Sequence, residues 1–199
     1  MVTKRKKKEI LLKLDLGAGK NKKEGFLGVD SIDFKGVDIV CNLGEDKWPW
    51  EDNTVDEAHC SHMLEHLTYQ DGIKFIQDCF CKLKSGGNLR MIVPDLEIWI
   101  NGYYNNNKFF FNEYQKILDE NIYVTKGSIF MGMLHNHEHK CGYDFETLSW
   151  LLEKVGFTNI QRTLYADTKI NAIKDEINDI EPQNPLRVME SLCLECVKP

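Results

Sequence analysis

The sequence contains no apolar run approaching the roughly 18 residues that span a bilayer, so neither a membrane-spanning segment nor a membrane partner is expected. It also has no clean secretory leader. A basic start leads into Ile10-Leu11-Leu12, but Lys13 and Asp15 interrupt the apolar stretch and no small-residue cleavage pattern follows. Internal repeats and long linkers are absent, which predicts one domain. The seven cysteines are an odd number in a chain long enough to bury its own core, so reduced thiols and a cytoplasmic location are expected. Cys193 and Cys196 have CxxC spacing, but they read as part of a strand, where residues three apart face opposite ways. Cys79 and Cys81 have no second pair at zinc-finger spacing. Beyond the first eight residues acidic side chains outnumber basic ones by 31 to 20. Lys4, Arg5, Lys6, Lys7 and Lys8 supply +5 of a net −6, leaving −11 for the rest. Such an acidic body disfavours nucleic acid as a partner, because that affinity rests on Lys and Arg neutralising phosphates.

What is present is ordinary globular material: 199 residues, 42% hydrophobic and 28% charged. A basic tail over 1–8 precedes a single domain over 9–199. Glu9 to Leu16 reads as a strand ending in Gly17-Ala18-Gly19, followed by short strands over Phe26–Asp30 and Val37–Leu43. Val55 to Cys60 is a more polar strand. Ile73, Ile76, Phe80 and Leu83 share a helical face, closed by Gly86-Gly87. Leu89 to Val93 is a fifth strand, stopped by Pro94. Leu148, Leu151, Leu152 and Val155 predict a helix with Asp144 as N-cap and Gly156 as its stop. Phe157–Leu164 and Ser191–Lys198 read as closing strands. Alternating strands and helices predict an α/β, doubly wound, mostly parallel sheet covered on both faces.

Residues 96–143 break this rhythm. These 48 residues hold ten of the 21 aromatics and three of the six histidines, far more chain than an ordinary connection of about 4–6 residues. A helical subdomain burying its own aromatics is one reading. A lid is the other, because ligands bind at the carboxyl edge of such sheets.

Leu14-Asp15-Leu16-Gly17-Ala18-Gly19 is the most informative stretch. Its glycines permit a sharp turn and close approach of a ligand. An acid in the strand end is unwelcome to a pyrophosphate but suits an ammonium group. The dinucleotide pattern would need glycine where Lys22 stands, so a nucleotide-like ligand with an ammonium fits better than NAD. Asp30 closes the second strand, where a carboxylate can accept from both hydroxyls of a ribose. Backbone N–H groups and the amide around Cys41-Asn42-Leu43 could read an adenine edge.

With these motifs the sequence resembles the class I S-adenosylmethionine-dependent methyltransferases. The resemblance is carried by LDLGAG (14–19), GVD (28–30), CNLGEDKWPWEDNTVDEAHCSHMLEHL (41–67) and GGNLRMIVPDLE (86–97). It is closest to a subgroup of small methyltransferases with a shortened first helix. It implies a Rossmann-like seven-stranded sheet with its last strand inserted antiparallel, and S-adenosyl-L-methionine as cofactor. Asp15, Gly17, Ala18 and Gly19 would surround the methionine part. Asp30 would hold the ribose, Asn42 and Leu43 the adenine, and Ser61 or His62 the pocket edge. The chain departs from the family where Asn21 replaces a common third glycine, and where only residues 20–25 separate the loop from the second strand.

Two histidine groups invite other readings. His62-Met-Leu-Glu65-His66 matches HxxEH, the inverted zinc-protease motif, which on a helix would set His62 and His66 on one face. It lacks an evident third ligand, Glu138 and Glu146 being remote, so a zinc metallohydrolase ranks far below the methyltransferase. His135, His137 and His139 alternate and would share a face of an extended chain. No metal is assigned to either group. The sulfonium already activates the methyl group, so the protein must orient the acceptor and, for a hydroxyl, remove its proton. His139 is the first candidate base and Asp95 the second. The expected function is methyl transfer to a small or medium acceptor, with a hydroxyl of a sugar or other metabolite preferred. The alternative is a cofactor-binding accessory protein without catalysis.

Overall fold

The computed structural model describes residues 11–119, 121–170, 174, 177–182 and 184–199, setting aside the side chains of residues 137 and 179. The basic run over residues 4–8 lies outside the described residues. Seven strands form one sheet: β1 Lys13–Leu16, β2 Leu27–Asp30, β3 Ile39–Val40, β4 Val55–Ser61, β5 Leu83–Pro94, β6 Thr158–Thr163 and β7 Ser191–Val197. Their spatial order is β3-β2-β1-β4-β5-β7-β6. β7 lies antiparallel to both β5 and β6, and the other described pairings are parallel. The α/β Rossmann-like sheet with an antiparallel last strand is thus as expected.

Alternation sorts the strand residues onto two very different faces. Leu14, Leu16, Ala58, Cys60, Leu89, Met91, Val93, Leu192, Leu194 and Cys196 belong to the main core, with residues of α1 (Tyr69–Lys82) and α5 (Phe145–Val155). The α5 ends are those read from the sequence. Asp144 accepts from the Thr147 N–H, and Gly156 stops the helix at φ +116°.

The opposite face carries a lateral row of ionisable residues, Asp15, His59, Arg90 and Glu195, in register across β1, β4, β5 and β7. All four are at most 1% exposed. No helix stands between β1 and β2 or between β2 and β3 to cover this face. The connection from β6 to β7 does so instead. It carries α6 (Ile177–Ile180) and α7 (Pro185–Glu190), and Ile170, Ile177 and Ile180 cluster with Phe26. Its Glu181 accepts from Arg90 Nε at 2.5 Å and Nη2 at 2.8 Å and lies 3.1 Å from His59 Nε2. Sequence reading assigned no element to this connection, although its described residues pack on that face at Phe26, His59 and Arg90.

Other differences are local. β3 is two residues long rather than Val37–Leu43, because Asn42 turns away, its N–H bonded to Asp46 Oδ2. α1 ends at Lys82 because Leu83 is already extended and begins β5. Gly86-Gly87 therefore lies in the irregular start of β5, where pairing shifts between Val55 and Glu57, and not at a helix end. All seven cysteines are free, and both Cys193 and Cys196 are buried.

The long segment after β5 is helical: α2 Leu96–Tyr104, α3 Lys108–Gln115 and α4 Lys126–His135, then a 3-10 turn Asn136–Glu138. Trp99, Phe110, Phe111, Ile129 and Met133 give it a core of its own, as the subdomain reading expects. Its two ends meet, since the Leu96 N–H bonds the Tyr143 carbonyl at 2.9 Å. The segment is therefore anchored as one unit at the carboxyl end of β5.

Candidate active site

The carboxyl ends of β1, β2, β3 and β4 bring the glycine loop, Asp30, Asn42-Leu43 and Ser61-His62 to one edge of the sheet. Gly17 and Gly19 adopt φ +78° and +56°, and the Gly17 and Ala18 N–H groups bond the Val29 carbonyl. That is a turn only glycine enters without strain. A Cβ on Gly17 would overlap the Met63 side chain, whereas one on Gly19 would meet nothing within 4 Å. The loop is thus packed beneath by Met63 and open at Gly19.

Asp30 accepts from the Gly19 N–H at 2.8 Å and the Ile32 N–H at 3.0 Å. A carboxylate has about four acceptor sites, so capacity remains for hydroxyl donors. Asp15 is buried beneath the loop, where it accepts from the Lys23 N–H at 3.0 Å and lies 3.6 Å from Lys23 Nζ. The cation beside Asp15 is therefore Lys23 of the short β1–β2 connection. Asn42 Oδ1 accepts weakly from the Gly44 N–H at 3.3 Å, and Leu43 is buried. Half-buried Ser61 ends β4.

His62 turns away from this loop. At φ +52°, its Nε2 lies 3.1 Å from Ser191 Oγ, and Nδ1 lies 3.1 Å from Glu65 Oε1 and 2.5 Å from Arg187 Nη1. Burial and the Arg187 charge push its pKa down to about 3, so it stays a neutral acceptor. The HxxEH residues form no α-helix. Leu64–His66 is a single 3-10 turn, so His62 and His66 do not stack as the protease motif requires.

A cavity of about 410 Å³ opens beside this turn. His62, Glu65 and His66 line it from the segment that follows β4, Tyr114 and Ile117 from the helical insertion, and Arg187 and Glu190 from α7. His139 faces it too, with Nδ1 2.7 Å from the Met133 carbonyl. Because a carbonyl only accepts, Nδ1 carries the proton, which leaves Nε2 as the basic nitrogen of the neutral ring. The extended reading of residues 135–139 does not hold: His135 ends α4 and is exposed, and a 3-10 turn separates it from His139. Asp95 is not among the lining residues. It caps α2, accepting from the Glu97 N–H at 3.0 Å, and pairs with Arg162 at 3.3 Å. Glu65, 1% exposed, has its pKa raised by burial, and its Oε2 has no hydrogen-bond partner. Met63, Arg187 and Glu190 escaped sequence reading. Met63 stood between two more conspicuous residues, and the other two arrive from far along the chain.

Residues 14–91 match the family model of the methyltransferase domain. Over that stretch, from β1 into β5, the chain is similar to the methyltransferase domain family. Three solved structures share its fold. An S-adenosylmethionine-dependent methyltransferase from Archaeoglobus fulgidus is 18% identical, with a TM-score of 0.59, over 96% of this chain and 87% of that one. One from Thermotoga maritima is 17% identical, with a TM-score of 0.55, over 94% and 82%. Phosphoethanolamine N-methyltransferase 2 of Haemonchus contortus, in complex with S-adenosyl-L-methionine, is 14% identical with a TM-score of 0.55. That match covers 95% of this chain but only 49% of the other. No curated protein matches the sequence. The open turn at Gly19 and the spare acceptor capacity of Asp30 fit the cofactor S-adenosylmethionine, which supplies a methyl group already activated on a sulfonium. Among the described residues no helix is long and apolar enough to cross a membrane.

Proposed function

We propose that this protein methylates a hydroxyl of a small or medium-sized metabolite, such as a sugar, held in the cavity between the end of β4, the helical insertion and α7. The observation that carries this reading is His139 on the cavity wall. Its Nδ1 is fixed to the Met133 carbonyl, which aims a basic Nε2 away from that bond. An oxygen acceptor needs such a base, whereas a thiolate or unprotonated amine does not. The volume, about 410 Å³, suits a small ligand.

In this reading the loop Gly17-Ala18-Gly19 receives the methionine part of the cofactor and Asp30 the ribose hydroxyls. Asn42 and Leu43 border the adenine, and Ser61 the edge toward the acceptor. Asp15 supports the loop through Lys23, and His62 orders the acceptor side through Ser191 and Arg187. Asp95 anchors the insertion that bears His139, and residues 96–143 act as the cavity's lid. Seven free thiols are in keeping with a reducing, cytoplasmic location.

The test is a screen of hydroxyl, amine and thiol acceptors read by release of S-adenosylhomocysteine. Turnover with a hydroxyl compound is expected, falling steeply in His139→Gln. Cofactor binding without turnover on any acceptor class would favour a non-catalytic accessory protein. Turnover only with amines or thiols would remove the base from the reading.

A further inference from the structure

On the acceptor cavity's wall, ligand atoms of Glu65, His66 and His139 all lie within 4.8 Å of one another. The first two follow β4, and the third comes from the far end of the helical insertion. Backbone bonds hold the two segments together, because the Lys140 and Cys141 N–H groups both donate to the Glu65 carbonyl, at 2.8 and 3.1 Å. The His66 and His139 rings meet edge to face with centroids 4.8 Å apart. Glu65 presents a buried Oε2 that no hydrogen bond satisfies, a costly state for a carboxylate unless a proton or a cation joins it.

We propose that Glu65, His66 and His139 bind one divalent transition-metal ion of the zinc class. Two imidazoles and one carboxylate are the ligand set of catalytic zinc sites, which keep a further position open. That position would face the cavity. His139 already has the supporting contact such ligands use, its Nδ1–H on the Met133 carbonyl. Tetrahedral ligands about 2.0–2.1 Å from an ion stand closer together than these atoms do, so small side-chain rotations complete the site. The charge of Arg187 on the same wall is offset by Glu190, 3.1 Å away. Neither histidine motif contains this trio. HxxEH contributes its last two residues, and the 135–139 group contributes His139.

The site stands on its own geometry, but the statement that its open position meets an acceptor rests on the function proposed above. Where the ion is bound, His139 serves as ligand and no longer as base.

The experiment titrates cobalt(II), then zinc(II) in competition, into the metal-stripped full-length chain. One equivalent of cobalt should give visible bands of four- or five-coordinate intensity, which zinc abolishes. Glu65→Gln and His139→Gln should each weaken binding by about a hundredfold or more, since losing even an outer-shell partner costs about 10–100-fold. The control His135→Ala should bind normally. His66→Gln replaces Glu65→Gln if the latter does not fold. Absence of bands at stoichiometric cobalt, or binding that survives both Glu65→Gln and His139→Gln, overturns the site. A thermal shift by S-adenosylhomocysteine, read in the same samples, reports the cofactor separately. If that shift persists without metal binding, only the metal site fails. If metal binds but S-adenosylhomocysteine gives no shift, the function proposed above fails and the metal site stands.

Discussion

Arg90 and Glu181 are joined by two hydrogen bonds, Nε to Oε1 at 2.5 Å and Nη2 to Oε2 at 2.8 Å, inside the protein. The remaining guanidinium N–H groups reach Glu195, Thr163 and the Leu164 carbonyl, so all five donors of Arg90 are used. This pairing fastens the β6–β7 connection over a sheet face that has no helix of its own. Removing Glu181 leaves Arg90 with Glu195 as its one remaining carboxylate, and leaves Arg90 Nε and His59 Nε2 buried without their hydrogen-bond partner. Glu181→Leu should therefore destabilise the fold by about 3–5 kcal/mol in urea unfolding. A loss below about 1 kcal/mol would mean that the connection is held mainly by its isoleucines.

The same network sets a pH dependence. Burial lowers the His59 pKa to about 4, despite the raising effect of its Glu181 hydrogen bond, and lowers His62 to about 3. Each imidazole binds its proton more readily in the unfolded chain, near pH 6.5. Stability is therefore full above that value and falls as pH drops from 6.5 toward 4. Glu181 extends the loss below pH 4.5. Burial raises its pKa, but hydrogen bonds from Arg90 and His59 outweigh burial and hold it at about 2. Glu65 and Asp95, both raised by burial, act in the opposite sense upward from the ordinary carboxylate range, and so offset part of the histidines' loss. The unfolding free energy read from urea titrations should drop between pH 7 and pH 5 by on the order of 2 kcal/mol for each histidine, less that offset. A flat profile would contradict the buried neutral imidazoles.

At the glycine loop, Gly17→Ala should abolish or greatly weaken S-adenosylhomocysteine binding while the fold persists. Both the positive φ and the overlap with Met63 oppose a Cβ there. Gly17→Ala combined with Met63→Ala removes the overlap but keeps a backbone cost of about 1 kcal/mol, so calorimetry should show partial recovery. No recovery would place the whole effect in the backbone.

Asp30→Ala removes the proposed ribose contact and the acceptor for the Gly19 N–H together. Cofactor affinity should fall by about tenfold or more, since hydrogen bonds to a charged group contribute about 1.5–3 kcal/mol. Unchanged binding would remove Asp30 from the cofactor site.

Asp95 and His139 should separate cleanly. Asp95→Asn keeps a capping oxygen for α2 and is expected to change turnover little. His139→Gln is expected to lower kcat by about 10²–10⁴-fold on a hydroxyl acceptor, with cofactor binding intact. The reverse pattern would make Asp95 the base.

Sequence alone determined the sheet, its strand periodicity, the capped α5 helix and the cofactor-loop motif, because each is written in neighbouring residues. Alternation marks strands, Asp144 and Gly156 mark helix ends, and a glycine pair marks a turn. Local pattern had no access to the row of Asp15, His59, Arg90 and Glu195, whose members come together only through strand register. Nor could it pair Glu181 with Arg90 across 91 positions, or bring His139 to Glu65. Tertiary structure decided what covers the polar face and which histidine meets the cavity. Those outcomes depend on where distant segments find partners for buried charge, and a buried charge is stable only beside a partner supplied by the fold.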